Sequence, residues 1–203
     1  RLPDLTGLKT EAVILKQHRN GYDHAVRNVG LRFVEVETAD QLRNAINSKT
    51  AMMYFLGGTS GDYAWPETLS LEQCLAITKP AGIPMMVDAA NMLPPFDNLR
   101  KLAAAKVELI CVSGGKHMRG PQCSGILAGR KDLIEAGRLN SSPHSDSLGR
   151  PMKVGREEIV GAWLACETYA KLDFEALDQE NLRQAEYIKN ALSKVKGLRL
   201  GFA

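Results

Sequence analysis

The chain has 203 residues, of which 44% are hydrophobic and 24% charged, a composition typical of soluble globular proteins. It excludes a disordered chain, a collagen and a small disulfide scaffold. The net charge of +3, from 26 basic and 23 acidic residues, is too small to indicate nucleic acid or an anionic membrane as the partner. No apolar run approaches the roughly 20 residues of a membrane helix, and the four cysteines show no CxxC spacing. We therefore predict a cytoplasmic protein with reduced thiols, no bound metal and no membrane contact.

Short apolar runs alternate with helical patterns in the first half of the chain. Each run is nearly continuously apolar, as expected for strands buried on both faces of a parallel sheet. Capping boxes that begin at Thr38 and Ser70 predict two helix starts. This alternation predicts a layered α/β sheet with right-handed crossovers. The predicted strands cover residues 12–15, 31–36, 50–56, 83–87 and 107–112, and a third helix covers 99–105.

The second half begins with one more strand and continues mainly as helices. The strand over residues 124–129 is predicted to be antiparallel, because only a short Gly-rich link separates it from the preceding strand. Residues 140–155 are rich in Ser, Pro, His, Asp and Gly and predict a loop. The predicted helices cover residues 131–139, 157–172 and 177–195, and residues from 197 onward predict the start of another strand.

Polar residues follow two of the predicted strands where these strands end. Asp88 closes one apolar strand, and Ser113 and Lys116 close the next on a Gly-rich turn. Ligands of open α/β sheets bind just beyond these carboxyl ends. A hydroxyl and an amine can bind an anion there, and a desolvated amine can act as a nucleophile. Three structural alternatives stay open: Asp88 as a helix N-cap, Ser113 as a turn residue and Lys116 as a solvated loop lysine.

This pair of strand ends resembles that of the fold type I pyridoxal phosphate (PLP) enzymes. The more specific resemblance is to the selenocysteine synthase-like branch, which includes L-seryl-tRNA(Sec) selenium transferase and D-glucosaminate-6-phosphate ammonia-lyase. In that branch the lysine strand ends Ser-Gly-x-Lys and runs into Gly-Pro-Gln-x-Gly. This chain has Ser113-Gly-Gly-Lys116-His-Met-Arg-Gly-Pro-Gln-Cys-Ser-Gly125, and a similar Arg-rich segment at 149–156. The resemblance runs from about Val13 to the end of the chain.

The resemblance implies a role for each of these residues. Lys116 forms a Schiff base with the cofactor and later moves the substrate proton, and Asp88 holds a proton on the pyridine nitrogen. Ser113 donates to the cofactor phosphate. The other implied cofactor contacts are the small residue against the ring, Ala90, the partner of the ring hydroxyl, Asn91, and the stacking residue, His18. The candidate partners of a substrate carboxylate or phosphate are Arg119, Arg150 and Lys153.

The implied fold is the three-layer α/β sandwich of the PLP-dependent transferases, with a mostly parallel sheet that is incomplete at both ends. Residues 1–150 then form the PLP-binding large domain without its N-terminal phosphate loop. Residues 151–203 form connecting helices that lead into a truncated small domain. We expect such a chain to be poorly active by itself.

The implied function is that of a PLP-dependent lyase or transferase. It acts by α,β-elimination on a small hydroxylated or phosphorylated amino substrate, in a homodimer or a higher homo-oligomer. A tRNA partner is not expected, because the charge is modest and nothing resembles the additional tRNA-binding domain. Two alternatives remain: a selenium transferase on seryl-tRNA, and a non-catalytic remnant or fragment that binds a partner. A nicotinamide-binding domain is disfavoured, since no G-x-G-x-x-G follows the first strand.

Overall fold

The fold is taken from a computed structural model, in which residues 2–58 and 68–201 are described. These residues form a six-stranded sheet in the order β2-β1-β3-β4-β5-β6. The first five strands are parallel, and β6 pairs antiparallel with β5, as predicted. The strands are β1 (Glu11–Leu15), β2 (Arg32–Val36), β3 (Thr50–Leu56), β4 (Met85–Asp88), β5 (Leu109–Ser113) and β6 (Gly125–Gly129).

Helices connect and cover the strands, and the local signals in the sequence account for several of their ends. The side-chain oxygens of Thr38 and Ser70 each accept from the backbone N–H three residues later, at 3.2 Å, which completes both predicted capping boxes. The helices are α1 (His24–Arg27), α2 (Ala39–Ala45), α3 (Leu71–Thr78), α4 (Asp97–Ala104), α5 (Lys131–Leu139), α6 (Arg156–Tyr169) and α7 (Phe174–Leu192).

The two faces of the sheet bury apolar side chains unequally. Alternate residues of β1, β3 and β4, such as Val13, Met53 and Val87, belong to a large cluster that also takes in α2, α3, α4 and Tyr169 of α6. The opposite face carries a small cluster around Ile14 and Tyr54. Side chains alternate between faces along a strand, so Asp88 lies on the same face as Tyr54. The polar end of β4 therefore lies at the thinner side of the core.

The structure departs from the sequence-based expectations in two segments. Two 3₁₀ turns, Lys16–His18 and Gly21–Asp23, and the short helix α1 follow β1, where no element was predicted. Their formation depends on side chains: Asn20 caps the second turn, and the buried Asp23 accepts from Arg19 and Arg27. The strand predicted from residue 197 is wrong as far as residue 201, and residues 202–203 lie outside the described chain. Within its described parts, the chain has no helix that is both long and apolar enough to cross a membrane.

Candidate active site

The candidate site lies at the carboxyl edge of the parallel strands. Because β1 to β5 run in the same direction, their last residues meet at one edge of the sheet. Asp88 pairs with Cys111 of β5, and Ser113 comes two residues later on the same face. The two polar strand ends identified in the sequence are thus immediate neighbours in space.

Asp88 is held by two donors from the chain itself. The hydroxyl of Tyr54 donates to Oδ2 of Asp88 at 2.7 Å, and the backbone N–H of Ala90 donates to Oδ1 at 3.0 Å. No helix begins at Asp88, since α4 starts only at Asp97. The helix N-cap interpretation of Asp88 is therefore wrong, and its carboxylate is an oriented acceptor at the end of a strand.

Lys116 lies on a tight turn that follows β5. The N–H of Gly114 donates to the carbonyl of Ser124 at 3.0 Å, and the N–H of Arg119 donates to the carbonyl of Lys116 at 2.9 Å. A Cβ on Gly115 would lie 2.5 Å from Cα of Gln122, so only glycine fits between the two arms of the turn. The turn therefore presents an exposed lysine at a fixed place beside the end of β5.

A chain of contacts joins Lys116 to Asp88 across the edge. Nζ of Lys116 lies 5.9 Å from the ring centroid of Tyr22, within the range of a cation–π contact. Tyr22 belongs to the 3₁₀ turn that Asn20 caps, and the amide of Asn20 lies beside the hydroxyl of Tyr54. Tyr54 in turn bonds Asp88. The segment after β1 thus extends over the carboxyl edge and brings the lysine and the aspartate to the same side of the sheet.

His18 lies at the same edge, at the end of β1. It is only 2% exposed, its Nδ1 accepts from the N–H of Leu56 at 3.1 Å, and its ring meets Phe55 edge-on at 4.5 Å. Burial lowers the pKa of His18 to about 4, so its ring is neutral at neutral pH. Because Nδ1 accepts, the proton of the neutral ring is on Nε2.

Of the other residues singled out in the sequence, the cofactor candidates lie close to Asp88, Arg119 belongs to the Lys116 turn, and Arg150 and Lys153 lie in the segment before α6. Ala90 contacts Asp88 directly, and Asn91 is exposed in the adjoining turn. Arg119 lies beside Tyr169 of α6, where it lines a groove of about 280 Å³. Arg150 donates to the hydroxyl of Ser142 at 2.9 Å. Lys153 is exposed in the segment before α6.

Two tyrosines of this site were missed in the sequence. Tyr54 appeared only as part of an apolar strand, although a tyrosine in a buried strand needs a partner for its hydroxyl. That requirement was an available signal, but the partner is 34 residues away and only the register of β3 against β4 reveals it. Tyr22 gave no signal, since its side chain is 83% exposed and its contact with Lys116 depends on the path of the chain.

The residues at this edge fit PLP. That molecule presents an aldehyde, a ring nitrogen and a phosphate, and the edge offers the amine of Lys116, the carboxylate of Asp88 and the hydroxyl of Ser113. Each oxygen of Asp88 accepts from one donor of the chain and keeps a further lone pair, which a protonated ring nitrogen could use. The chemistry of the donors therefore matches the group.

Comparison with known proteins supports the same assignment. A 5'-C-glycyluridine monooxygenase-decarboxylase from Streptomyces sp is 31% identical over 98% of this chain and 50% of its own length. A D-glucosaminate-6-phosphate ammonia lyase from Salmonella typhimurium is 29% identical over 97% of this chain and 52% of its own length. An L-seryl-tRNA(Sec) selenium transferase from Serratia proteamaculans is 33% identical over 64% of this chain and 30% of its own length. No family model matches the chain.

The solved structure of a D-glucosaminate-6-phosphate ammonia-lyase superposes on 84% of this chain and 46% of its own, with a TM-score of 0.73 and 31% identity. The fold is thus that of the PLP-dependent transferases, as predicted. The chain is similar over most of its length to fold type I PLP-dependent enzymes, and its relatives are consistent with the selenocysteine synthase-like branch. It spans about half the length of the first two relatives.

Proposed function

We propose that this chain carries the cofactor-binding core of a PLP-dependent lyase or transferase that acts by α,β-elimination on a small hydroxylated or phosphorylated amino substrate, in a homo-oligomer. One observation carries the proposal: the oriented carboxylate of Asp88 and the turn of Lys116 lie on neighbouring strand ends, linked through Tyr22, Asn20 and Tyr54. This arrangement provides an acceptor for a ring nitrogen and an amine for an aldehyde on one edge of the sheet.

Each residue at the edge has a separate task in this proposal. Lys116 would hold the cofactor through its aldehyde and would then move the proton at the substrate Cα. Asp88 would hold a proton on the ring nitrogen, and Ser113 would donate to the phosphate. His18, neutral and fixed by Leu56, presents an uncharged ring beside the site. When bound, PLP supplies the electron sink that makes loss of the Cα proton feasible.

The overall reaction balances without an external oxidant. The Cα–H bond and the bond from Cβ to the leaving group break, and a Cα=Cβ double bond forms. The proton leaves toward Lys116, and the leaving group departs with its electron pair. Sequence similarity to a D-glucosaminate-6-phosphate ammonia lyase over 97% of this chain supports a lyase. Similarity to a monooxygenase-decarboxylase over 98% favours oxidative loss of CO₂ as a second candidate, which requires O₂.

The first experiment tests the lysine. Purified protein mixed with PLP is expected to show a visible absorbance band, and borohydride reduction followed by peptide mass spectrometry is expected to find the cofactor on Lys116. Lys116→Ala should abolish both signals. Lys131→Ala, which changes an exposed lysine at the start of α5, serves as the matched control and should keep both. A wild-type protein without the band, or a label on another lysine, contradicts the proposal.

The second experiment distinguishes the candidate reactions. With D-glucosaminate 6-phosphate as the probe, elimination of water across Cα–Cβ and hydrolysis of the resulting enamine release ammonia and a 2-keto acid under nitrogen as fast as in air. Turnover that stops without O₂ and releases CO₂ from 5'-C-glycyluridine supports the oxidative candidate. Tight, salt-sensitive binding of seryl-tRNA in a gel-shift assay supports a selenium transferase and overturns the preference for a small substrate.

A further inference from the structure

Tyr54 is a buried hydroxyl that the proposed chemistry does not yet use. It lies in the middle of β3, only 3% exposed, and its ring meets Phe33 at 6.1 Å in the smaller apolar cluster. Its register partner on β4 is Met86, so Asp88 is two residues further along the neighbouring strand. A tyrosine side chain is long enough to pass its direct partner and reach Asp88 on the neighbouring strand. The hydroxyl of Tyr54 lies 2.7 Å from Oδ2 of Asp88.

The bond from Tyr54 complements the one from Ala90. Ala90 holds Oδ1 of Asp88 through a backbone N–H, and Tyr54 holds Oδ2, so each carboxylate oxygen has one donor from the chain. Two points of attachment prevent the carboxylate from rotating about its Cβ–Cγ bond. Each oxygen keeps a further lone pair for another donor.

The surroundings of Tyr54 keep it a donor. Burial raises its pKa first of all, and the negative charge of Asp88 raises it further, so the phenol stays protonated across the physiological range. The amide of Asn20 lies beside the same hydroxyl. Since Asn20 also donates to the carbonyl of His18 at 2.9 Å, the tyrosine is tied to the segment that follows β1.

We infer that Tyr54 is a positioning residue, which aims the carboxylate of Asp88 at the ring nitrogen of the cofactor and keeps the proton of that hydrogen bond on the nitrogen. The inference rests on the proposed function. With both of its oxygens held, the carboxylate keeps its free lone pairs in a fixed direction for a ring N–H. Loss of the phenol frees the carboxylate to rotate, which weakens the hydrogen bond that holds the proton on the ring.

Tyr54→Phe tests the inference, because it removes the hydroxyl and leaves the ring in place. The matched control is Thr78→Val in α3, which also deletes a fully buried hydroxyl, one that donates to the carbonyl of Cys74 at 3.1 Å. Two readouts are independent of turnover: the dissociation constant of PLP, and the ¹⁵N chemical shift of PLP labelled at its ring nitrogen. We expect Tyr54→Phe to weaken PLP binding about tenfold, in line with a lost hydrogen bond to a charged group. We also expect its ¹⁵N shift to move toward the unprotonated value, while Thr78→Val matches the wild type.

A double-mutant cycle separates an effect through Asp88 from a general loss of packing. If Tyr54 acts through Asp88, Tyr54→Phe has little further effect on either readout in an Asp88→Asn background. A Tyr54→Phe protein with wild-type PLP affinity and an unchanged ¹⁵N shift overturns the inference and leaves the proposed function standing. Equal effects in the wild-type and Asp88→Asn backgrounds also overturn it. A wild-type protein that does not bind PLP overturns the inference and the proposed function together.

Discussion

At the scale of single residues, the candidate site depends on a buried histidine and a half-buried aspartate that have partners within the chain. His18 accepts from Leu56, and Asp88 accepts from Tyr54 and Ala90. A buried polar group that loses its partner costs about 1–3 kcal/mol, so each of these bonds stabilises the fold as well as orienting the site. Stability and site geometry are therefore coupled at the carboxyl edge.

The burial of His18 predicts a pH-dependent stability. Its folded pKa of about 4 lies below the ordinary 6.5, so between these values the unfolded state binds the proton more readily. The contribution of neutral His18 to the free energy of unfolding is complete above pH 6.5. It is lost as the pH falls toward 4, and the whole loss is about 3 kcal/mol. Urea unfolding at pH values from 7 to 4 measures this loss. His18→Gln should flatten this dependence, whereas His24→Gln, an exposed histidine on α1, should keep it. If the free energy of unfolding changes with pH equally in the wild type and in His18→Gln, the prediction is contradicted.

At the scale of elements, the turn between β5 and β6 positions Lys116. The antiparallel pairing of Ser113 with Gly125 closes the strands, and the bond from the N–H of Gly114 to Ser124 continues the ladder into the turn. Gly115 then passes so close to Gln122 that no side chain fits. Backbone contacts of the turn therefore place the lysine, and its side chain then reaches the ring of Tyr22.

This geometry predicts that Gly115→Ala displaces Lys116. The added Cβ would lie 2.5 Å from the backbone of Gln122, so the turn must open. We expect PLP affinity to fall at least tenfold and the free energy of unfolding to fall by about 1–3 kcal/mol. Gly137→Ala inside α5 is the control: its Cβ meets only a side-chain atom of Leu127 at 3.4 Å. That change should raise stability by about 0.5–1 kcal/mol and leave PLP affinity unchanged. Wild-type affinity in Gly115→Ala would contradict the role of the turn.

At the scale of the whole molecule, an exposed apolar groove lies between β6 and α6. Strand β6 is exposed along its length, and its Ile126 lines this groove of about 280 Å³ together with Ile159 and Trp163 of α6. Ile159 is 58% exposed. Exposed apolar patches and exposed strand edges promote association. The small net charge of +3 gives little electrostatic repulsion between copies.

We expect this patch to cause concentration-dependent association of the isolated chain. Ile159→Lys places a charge in the groove and should lower the apparent mass at high concentration, measured by sedimentation velocity. Asn181→Lys adds the same charge on the exposed surface of α7 and is the control for net charge. If both variants associate to the same degree as each other, the groove is not the cause.

The sequence by itself determined most of the elements and the resemblance to PLP enzymes. Helix caps, apolar runs and turn glycines act over a few residues, so the capping boxes at Thr38 and Ser70 and the strand ends at Asp88 and Lys116 could be recognised from their immediate neighbours. The same short motifs carried the resemblance to PLP enzymes, which the relatives confirm.

Only the tertiary structure decided which residues surround Asp88. The bond from Tyr54 requires the register of β3 against β4. The contact between Tyr22 and Lys116 requires the segments that follow β1 and β5, between which two strands lie in the sheet, to meet at the carboxyl edge. Such contacts join residues far apart along the chain, and their formation depends on how the whole sheet is assembled rather than on any local preference.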